Sequence, residues 1–494
     1  MSSLEQLKED RLHKISILEG LEINPYPASI LLDGKKLSTV EAKSLLVKED
    51  ETVASQNSKE TFLISGRVLT VRGQGKILFV DILDQTGKIQ CVLKVDILGE
   101  ESMDLFSKVV DAGDFFAFSG SLFITNRGEK SLEVHAWQML TKSLLPMPSQ
   151  WYGLENEEEA MRKRYLDFVM NSEKKDLFFK KALFWQVVRS FFVERNFLEV
   201  ETPTLETTTG GAEARPFKTH HNDFDIDVYM RICVGELWQK RLMAAGFEKT
   251  FEIGRAYRNE GSSPHHLQEF TNVECYMAYA DYKDGMKLIQ ELYVRIAKEV
   301  FGKTQFEVGG YTFDLADEWK VIEYKDEIKR VTGIDIFATT VEEVEAKLCE
   351  LGVKYDGKTM ERMMDTLWKY CRKQIAGPAF LIGHPVLVSP LSKKAKDGMT
   401  TERFQPIIAG VEVGNGFSEL NDPRDQRARF EVQQALIEKG DEEAMMPDME
   451  FIEMLEHGMP PTFGFGFGER LFSILAGLSI RETQLFPLTK IKES

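Results

Sequence analysis

No stretch of this 494-residue sequence reaches the run of about 18 apolar residues that a membrane span needs. The N-terminal MSSLEQLKEDRLHKISILEG is charged and helix-patterned, without the apolar core of a leader peptide, so we expect a cytoplasmic protein. Cysteine is scarce: Cys91, Cys233, Cys275, Cys349 and Cys371 are an odd, scattered set with no CxxC pair. That excludes a disulfide framework and a thiolate zinc site and fits a reducing compartment. Internal repeats and low-complexity tracts are missing too. Positive charge is in deficit, with 62 Lys+Arg against 79 Asp+Glu and a net charge of -17. This balance excludes a non-specific nucleic-acid binder held by counterion release, and taken alone it points to an enzyme acting on small molecules. What is present is 43 % hydrophobic, enough for a buried core, and the length suggests about three domains.

Along the chain, Leu4, Leu7, Leu12, Ile15 and Leu18 recur at near-helical spacing until Asn24-Pro25-Tyr26-Pro27 stops the helix. A polar stretch over roughly 46–60 reads as a linker, so residues 1–60 form a helical extension. From 61 to 145 the pattern becomes short alternating strands: FLISGRVLTVR, KILFVDILD, KIQCVLKV, FFAFSGSLFIT and KSLEVHAWQML. A helix-like SMDLFSKVVD separates the third from the fourth. Five strands with that helix are the pattern of an OB-fold barrel, which either binds single-stranded nucleic acid on exposed aromatics or serves only as a packing module. This region holds nine Lys/Arg and ten Asp/Glu, nearly neutral within an acidic whole. Residues 146–494 mix helices with long strands, and a charged helical stretch over about 315–377 looks like an insertion. The segment GFGFGER near the end reads as a glycine-rich loop before an apolar helix. The fold class is therefore α+β, multidomain.

Three strand-like segments carry the polar residues of interest. In KTFEIGRAYRNE, strand alternation groups Glu252, Gly254, Ala256, Arg258 and Glu260 on one face, as the floor of a pocket would require. EFTNVECYMAYADY groups Phe270, Asn272, Glu274 and Tyr276, leaving Val273, Cys275 and Met277 for the core. VEVGNGFSEL groups Asn415, Phe417 and Glu419, with Glu412 on the opposite face unless a glycine introduces a bulge. A single glutamate on a strand is more often a solvated surface group than a ligand. Here the company of small residues and aromatics raises the odds. The GFGFGER stretch lacks the GxGxxG spacing of a dinucleotide fold and the GK[ST] of a P-loop. Its glycines would let a backbone approach a flat ligand, and Arg470 could stack on a ring.

These residues resemble the three signature motifs of the class II aminoacyl-tRNA synthetases, in the family's order. FLEVETPTL (197–205) is similar to motif 1, FEIGRAYRNEG with His266 and Phe270 to motif 2, and GFGFGERL to motif 3. The lysine-specific members are resembled over nearly the whole length, through RKRYLD (162–167), GGAEARPFKTHHN (210–222), GELWQKRL (235–242), AYADY (278–282) and GNGFSELND (414–422). The resemblance implies a five-stranded OB-fold barrel reading the anticodon and an antiparallel-sheet catalytic domain. It implies ATP, L-lysine and tRNA(Lys) as partners, Mg²⁺ as cofactor, no membrane and a homodimer.

By the same resemblance, Arg258 and Arg470 are the catalytic residues, and Glu260, His266, Phe270 and Glu412 complete the ATP site, with Glu412 the metal ligand. Gly211, Glu236, Glu274, Tyr276, Asn415, Phe417 and Glu419 would bind lysine, and Phe79, Gln90 and Glu129 the anticodon. The sequence departs from the family pattern in five places. Motif 3 is one residue short, and one extra residue precedes Glu236. Gln405 stands where the family has a metal-binding glutamate, Leu267 replaces an asparagine, and Leu387 replaces a glutamate. Two alternatives share this core: a ligase attaching lysine to a protein, and a catalytically altered RNA-binding or regulatory relative. The barrel weighs against the first, and the presence of Arg258, Glu260 and Arg470 against the second.

Overall fold

In the computed structural model, residues 4–46, 60–148, 156–212, 214–261, 263, 266–355, 359–439 and 444–490 are described. They divide into two compact units, Met1–Ser172 and Glu173–Ser494. Most of the expected linker, residues 47–59, lies outside the described residues. Two short helices after it, Glu157–Arg162 and Arg164–Met170, fall in the first unit.

The first unit is built on five strands: β1 (Phe62–Gln74), β2 (Ile77–Leu83), β3 (Lys88–Lys94), β4 (Phe115–Ile124) and β5 (Lys130–Thr141). β1, β2 and β3 pair in sequence, β3 runs parallel to β5, and β4 joins β5 back to β1 to close the barrel. Alternation decides which side chains enter it. Leu78, Val80 and Ile82 of β2 and Ile89, Cys91 and Leu93 of β3 are buried, while Phe79, Asp81 and Gln90 stay on the outer face. Helix α2 (Glu100–Val109) plugs one end with Phe106, whose ring lies 5.1 Å from Phe116 and 5.4 Å from Trp137. Helix α1 (Leu4–Gly20) is tied to the same unit by buried Arg11, which donates to the carbonyls of Ser143 and Ala112.

The second unit contains a nine-stranded sheet. Its strands in chain order are β6 (Leu198–Glu199), β7 (Lys249–Tyr257), β8 (Glu269–Ala278), β9 (Lys320–Glu323), β10 (Ala379–Ile382), β11 (Arg403–Ile408), β12 (Val411–Glu412), β13 (Asn415–Ser418) and β14 (Thr462–Gly468). In space they run β9-β10-β11-β13-β14-β8-β7-β6, with β12 attached to β11. The interior pairs are antiparallel, as expected, and a parallel pair finishes each edge.

One face of the sheet is covered by helices α3 (Lys175–Val193) and α5 (Tyr282–Phe301), with α4 (Glu236–Ala244) lying between them in the chain. α5 buries Ile289, Leu292, Tyr293, Ile296, Ala297 and Val300, the stripe its 3.6-residue period lays on one side. Asp281 caps it by accepting from the backbone N–H of Lys283 and Asp284. These helices pack on Phe463, Phe465 and Phe467 of β14, which are at most 3 % exposed. The stretch expected to be a glycine loop is thus a central strand. Its three phenylalanines, at a spacing of two, all belong in the core, which forces an extended backbone.

The helical insertion comprises α6 (Tyr324–Thr332), α7 (Val341–Glu350) and α8 (Met360–Cys371), and it bridges the parallel strands β9 and β10. Parallel neighbours cannot be joined by a hairpin, so a crossover of this kind is required. It has its own apolar cluster, centred on Ile328, Val344, Leu348, Leu367 and Trp368. Among the described residues no helix is long and apolar enough to cross a membrane.

Candidate active site

The face of the sheet opposite the phenylalanines carries the site, and β14 explains its shape. Gly464, Gly466 and Gly468 alternate with the core phenylalanines and leave a groove without side chains along the strand. Register then fixes the walls: Tyr276, Glu274 and Asn272 of β8 stand opposite these glycines in turn, and Phe417 and Asn415 of β13 flank Gly464 and Gly466 from the other side. The groove has no room to spare. A Cβ on Gly464 would come within 2.1 Å of Glu419 Oε1 and 2.6 Å of Tyr276 Cε1. The cavity above holds about 450 Å³, enough for a nucleotide or amino acid.

Every residue named above for ATP or lysine lines this one cavity, from Gly211 and Glu236 to Glu419 and Arg470. Glu412 joins them because its two-residue strand β12 ends at Val413-Gly414, and β13 restarts the alternation after that break. The first segment is different. Arg258 and Glu260 lie beyond the end of β7, whereas Glu252, Gly254 and Ala256 do not reach the cavity. Glu252 instead accepts from Arg231 at 2.6 Å and from the Thr202 hydroxyl at 2.7 Å, and a Cβ on Gly254 would meet the same Arg231 guanidinium at 2.1 Å. The expected pocket floor is the seat of a buried structural arginine.

One end of the cavity is acidic. Glu236, Glu274 and Glu419 are 7, 5 and 2 % exposed, and Lys240 is buried among them. Glu274 accepts from the backbone N–H of Val234 at 2.8 Å and from the Tyr276 hydroxyl at 3.1 Å. Lys240 Nζ donates to Glu236 Oε1 at 2.8 Å and lies 2.6 Å from Glu419 Oε2. The second contact is a fully buried ion pair, and Glu419 Oε1 has no partner of its own. Burial pushes the Glu419 carboxyl up to about 8, with Lys240 opposing and Glu236 adding to the rise. Burial and then the Glu236 charge push Glu274 up to about 7. Burial works against the charge on Lys240, but Glu236 and Glu419 outweigh it and hold it firmly protonated.

Three carboxylates around one ammonium leave the pocket short of positive charge. Single ligand atoms of Cys233, Glu236 and Glu274 also lie within 4.8 Å of one another, as metal ligands would. Burial and the neighbouring glutamates raise the Cys233 thiol well above its ordinary value, so it stays protonated. The set therefore suits an organic ammonium better than a metal ion.

The other end is basic. Arg258 sits 5.4 Å from the Phe270 ring and donates to the Ile232 carbonyl at 3.3 Å. Burial lowers the pKa of Arg470, the Arg258 charge lowers it further, and Glu260 opposes them. His266 is exposed, its Nδ1 2.8 Å from the Ser263 hydroxyl. Arg403, on the inner wall, is held by Asn415 Oδ1 at 2.8 Å and the Val388 carbonyl at 2.7 Å.

Between these ends, the residue expected to hold Mg²⁺ is already engaged. Trp368 Nε1 donates to Glu412 Oε1 at 2.6 Å, and Arg372 pairs with Glu412 Oε2. Gln405 is neutral and its Oε1 lies 2.9 Å from Nε2 of His384, whose buried imidazole has its pKa pushed well below the usual range. A hard divalent ion needs several available anionic oxygens. A carboxylate occupied by an indole and a guanidinium, beside an amide, does not fit a protein-held Mg²⁺.

Sequence reasoning did not single out Lys240, Arg372 or Trp368. Lys240 follows Glu236 by four residues on α4, a spacing that pairs side chains on one helix face, and that signal could have found it. Nothing in the sequence links α8 to Glu412, because the contact joins positions far apart in the chain.

In the first unit, Phe79 and Gln90 share the outer face of β2 and β3, where Phe79 faces Val92 and Asp81 faces Gln90. Gln90 donates to the Ser131 hydroxyl at 2.9 Å, and Glu129 is exposed at the turn just before β5. Arg72 and Thr70 of β1 extend the same face through contacts with Asp81 at 2.8 and 2.7 Å. A half-buried aromatic on the outer face with flanking polar groups and an arginine is the composition of a base-stacking platform.

Comparison with known proteins agrees with both halves. The profile of the class II tRNA synthetases (D, K and N) matches residues 156–490, and that of the OB-fold nucleic acid binding domain matches residues 62–140. The chain is 42 % identical to a lysine--tRNA ligase of Thermotoga maritima over 494 residues, covering 99 % of this chain and 97 % of that one. It is 42 % identical to the lysine--tRNA ligase of Halalkalibacterium halodurans over 99 % of its own length and 98 % of the relative's. With that of Bacillus subtilis the identity is 40 % over 98 and 96 % of the two chains. The glycine groove, its acidic and basic ends, the barrel and these full-length likenesses together show that the chain belongs to the lysine--tRNA ligase family of class II tRNA synthetases.

Proposed function

We propose that this protein is a cytoplasmic, homodimeric ATP-dependent ligase that activates L-lysine as lysyl-adenylate and transfers it to the 3′ end of tRNA(Lys). The observation that carries the lysine assignment is Glu419. It is a buried carboxylate that shares the single Lys240 ammonium with Glu236, and Glu274 adds a third buried carboxylate beside them. Such a cluster is costly unless a further cation reaches it. Lysine's ε-ammonium would complete Glu419, with the Tyr276 ring beside it and Phe417 packing on the aliphatic stem. Glu236, Glu274 and the Gly211 carbonyl would take the α-ammonium, and Asn415 would complete the wall. The substrate carboxylate then points toward the basic end.

In the first step a carboxylate oxygen of lysine attacks the α-phosphorus of ATP; the new O–P bond forms as the bond to pyrophosphate breaks. Two anions must meet, so positioning and positive charge do the work, and no nucleophilic side chain is needed. Arg258 would bridge the carboxylate and the α-phosphate, and Arg470 would hold the adenine. Glu260 and Phe270 would support the base, and His266, on its exposed loop, the phosphate tail. In the second step the terminal ribose 3′-hydroxyl attacks the lysyl carbonyl and AMP leaves. Phe79, Gln90 and Glu129 would read the anticodon on the outer face of the barrel. Leu198 and Leu205, 49 and 53 % exposed in the motif 1 segment, support a dimer that covers them.

The deciding experiment is ATP–pyrophosphate exchange with each proteinogenic amino acid in turn. Exchange with lysine alone is the expected result; exchange with none, or with another amino acid only, would overturn the assignment.

A further inference from the structure

Motif 3 is one residue short, and the end of β14 accommodates the loss in an unusual way. The ladder between β14 and β8 runs as far as the pair Gly468 and Asn272. The next residue, Glu469, is already committed to the helix Arg470–Ala476, because its carbonyl accepts from the backbone N–H of Ser473 at 3.0 Å. In a regular antiparallel rung that carbonyl would accept from the N–H of Thr271 instead. Here the side chain stands in for it. The Thr271 N–H donates to Glu469 Oε1 at 2.6 Å, and the Glu469 N–H donates to the Thr271 carbonyl at 3.3 Å. One residue completes a sheet rung with its carboxylate and starts a helix with its backbone.

That carboxylate is only 1 % exposed, so it needs a cation. By alternation Glu469 follows Phe467 on the side of the sheet that helices cover. Lys181 of α3 donates to Glu469 Oε2, as does Gln484 Nε2, and Lys181 also donates to the Thr483 carbonyl at 2.9 Å. Burial opposes the charge on Glu469, but Lys181 outweighs it and holds the carboxyl below its ordinary value.

The two residues tied together are the chain neighbours of the two assigned to the base. Phe270 precedes Thr271, Arg470 follows Glu469, and both Phe270 and Arg470 line the cavity. Gly468 leaves bare backbone beside the ring, since a Cβ there would lie 3.8 Å from Phe270 Cδ2. Lys181 is not among the residues lining the cavity.

We propose that Glu469 is a positioning residue that sets the gap between Phe270 and Arg470. Its carboxylate supplies the hydrogen bond that the shortened motif cannot supply from its backbone, and Lys181 holds the carboxylate in place. This inference rests on the reading of Phe270 and Arg470 as the adenine site and deepens it.

The test is ATP–pyrophosphate exchange by the full chain, with the KM for ATP and the KM for lysine measured separately. Glu469→Asp, one methylene shorter, should raise the ATP KM about tenfold or more and leave the lysine KM within about twofold, because small misplacements of a binding group are costly. Inserting an isoleucine after Gly468 in that variant gives the strand its missing residue. The ATP KM should then return to within about threefold of the native value. Lys181→Met should reproduce the ATP-only defect although Lys181 stands outside the cavity; a loss of packing alone would move both constants or neither. An unchanged ATP KM in Glu469→Asp, equal losses for both substrates, or a defect that the insertion leaves unrepaired would overturn the inference and leave the ATP reading standing. Should Glu469→Asp fail to fold, Lys181→Met decides alone: an ATP-only rise supports the inference and any other result overturns it. No ATP-dependent exchange by the native chain would overturn both readings.

Discussion

Lys240 Nζ stands 2.6 Å from Glu419 Oε2, with both side chains 1 % exposed. A residue of the protein thus presents to the acidic end the same chemical group that the substrate brings. Lys240 sets the resting charge of the pocket, and the substrate ammonium completes it.

Replacing Lys240 by Met should therefore destabilise the empty enzyme, because removing one member of a buried charge cluster costs about 3–5 kcal/mol. Free lysine, bringing its own ammonium, should restore part of the loss. Urea unfolding with and without lysine measures both, and equal midpoints for the native and variant chains would refute this role.

Glu419→Gln should raise the lysine KM in pyrophosphate exchange by roughly two orders of magnitude, since it leaves a buried ammonium facing a neutral amide. The KM for ATP should change little, because the nucleotide occupies the other end of the cavity. Equal losses for both substrates would argue against the assignment.

Lysine affinity should rise with pH. Glu419 and Glu274, at about 8 and about 7 in the empty site, are largely protonated near pH 6, and only the ionised form pairs with an ammonium. Lysine's ε-ammonium keeps its proton throughout, since its pKa is about 10.4. Binding thus releases protons, and affinity should climb between about pH 6 and pH 8 and then level off. Calorimetry in buffers of different ionisation enthalpy counts the protons; a flat or falling profile would contradict the geometry.

Arg258→Ala should abolish exchange while leaving the melting curve close to that of the native chain. Beyond a long contact with the Ile232 carbonyl, the Arg258 side chain only lies over the Phe270 ring, so the fold has little invested in it. Near-normal exchange in this variant would remove it from the reaction.

Phe79→Ala should lower tRNA charging by about ten- to a hundredfold, the range expected for losing one stacked base, and spare exchange. The ring is on the outer face of the barrel, so the core does not depend on it. A loss of exchange would mean the residue serves another purpose.

Much of this could be read in the sequence because strands impose a period of two on whatever they carry. That period alone groups Phe270, Asn272, Glu274 and Tyr276 on one face, and they line the cavity. The same rule misled in KTFEIGRAYRNE, where a small-residue face accommodates Arg231 from outside the segment rather than a ligand. Local pattern shows that room has been left but not what fills it. The glycines of GFGFGER suggest a loop, although the phenylalanines between them carry the strand period. Trp368 and Arg372 were out of reach altogether, since their contact with Glu412 depends on how a crossover folds back.

The alternation along β14 also separates two kinds of damage. Phe463, Phe465 and Phe467 belong wholly to the core, whereas Gly464, Gly466 and Gly468 belong wholly to the groove. A mutational scan of this strand would read like a two-colour code: odd positions would lose packing from the core, and even positions would crowd the groove itself, where a side chain on Gly464 presses on Glu419 and Tyr276.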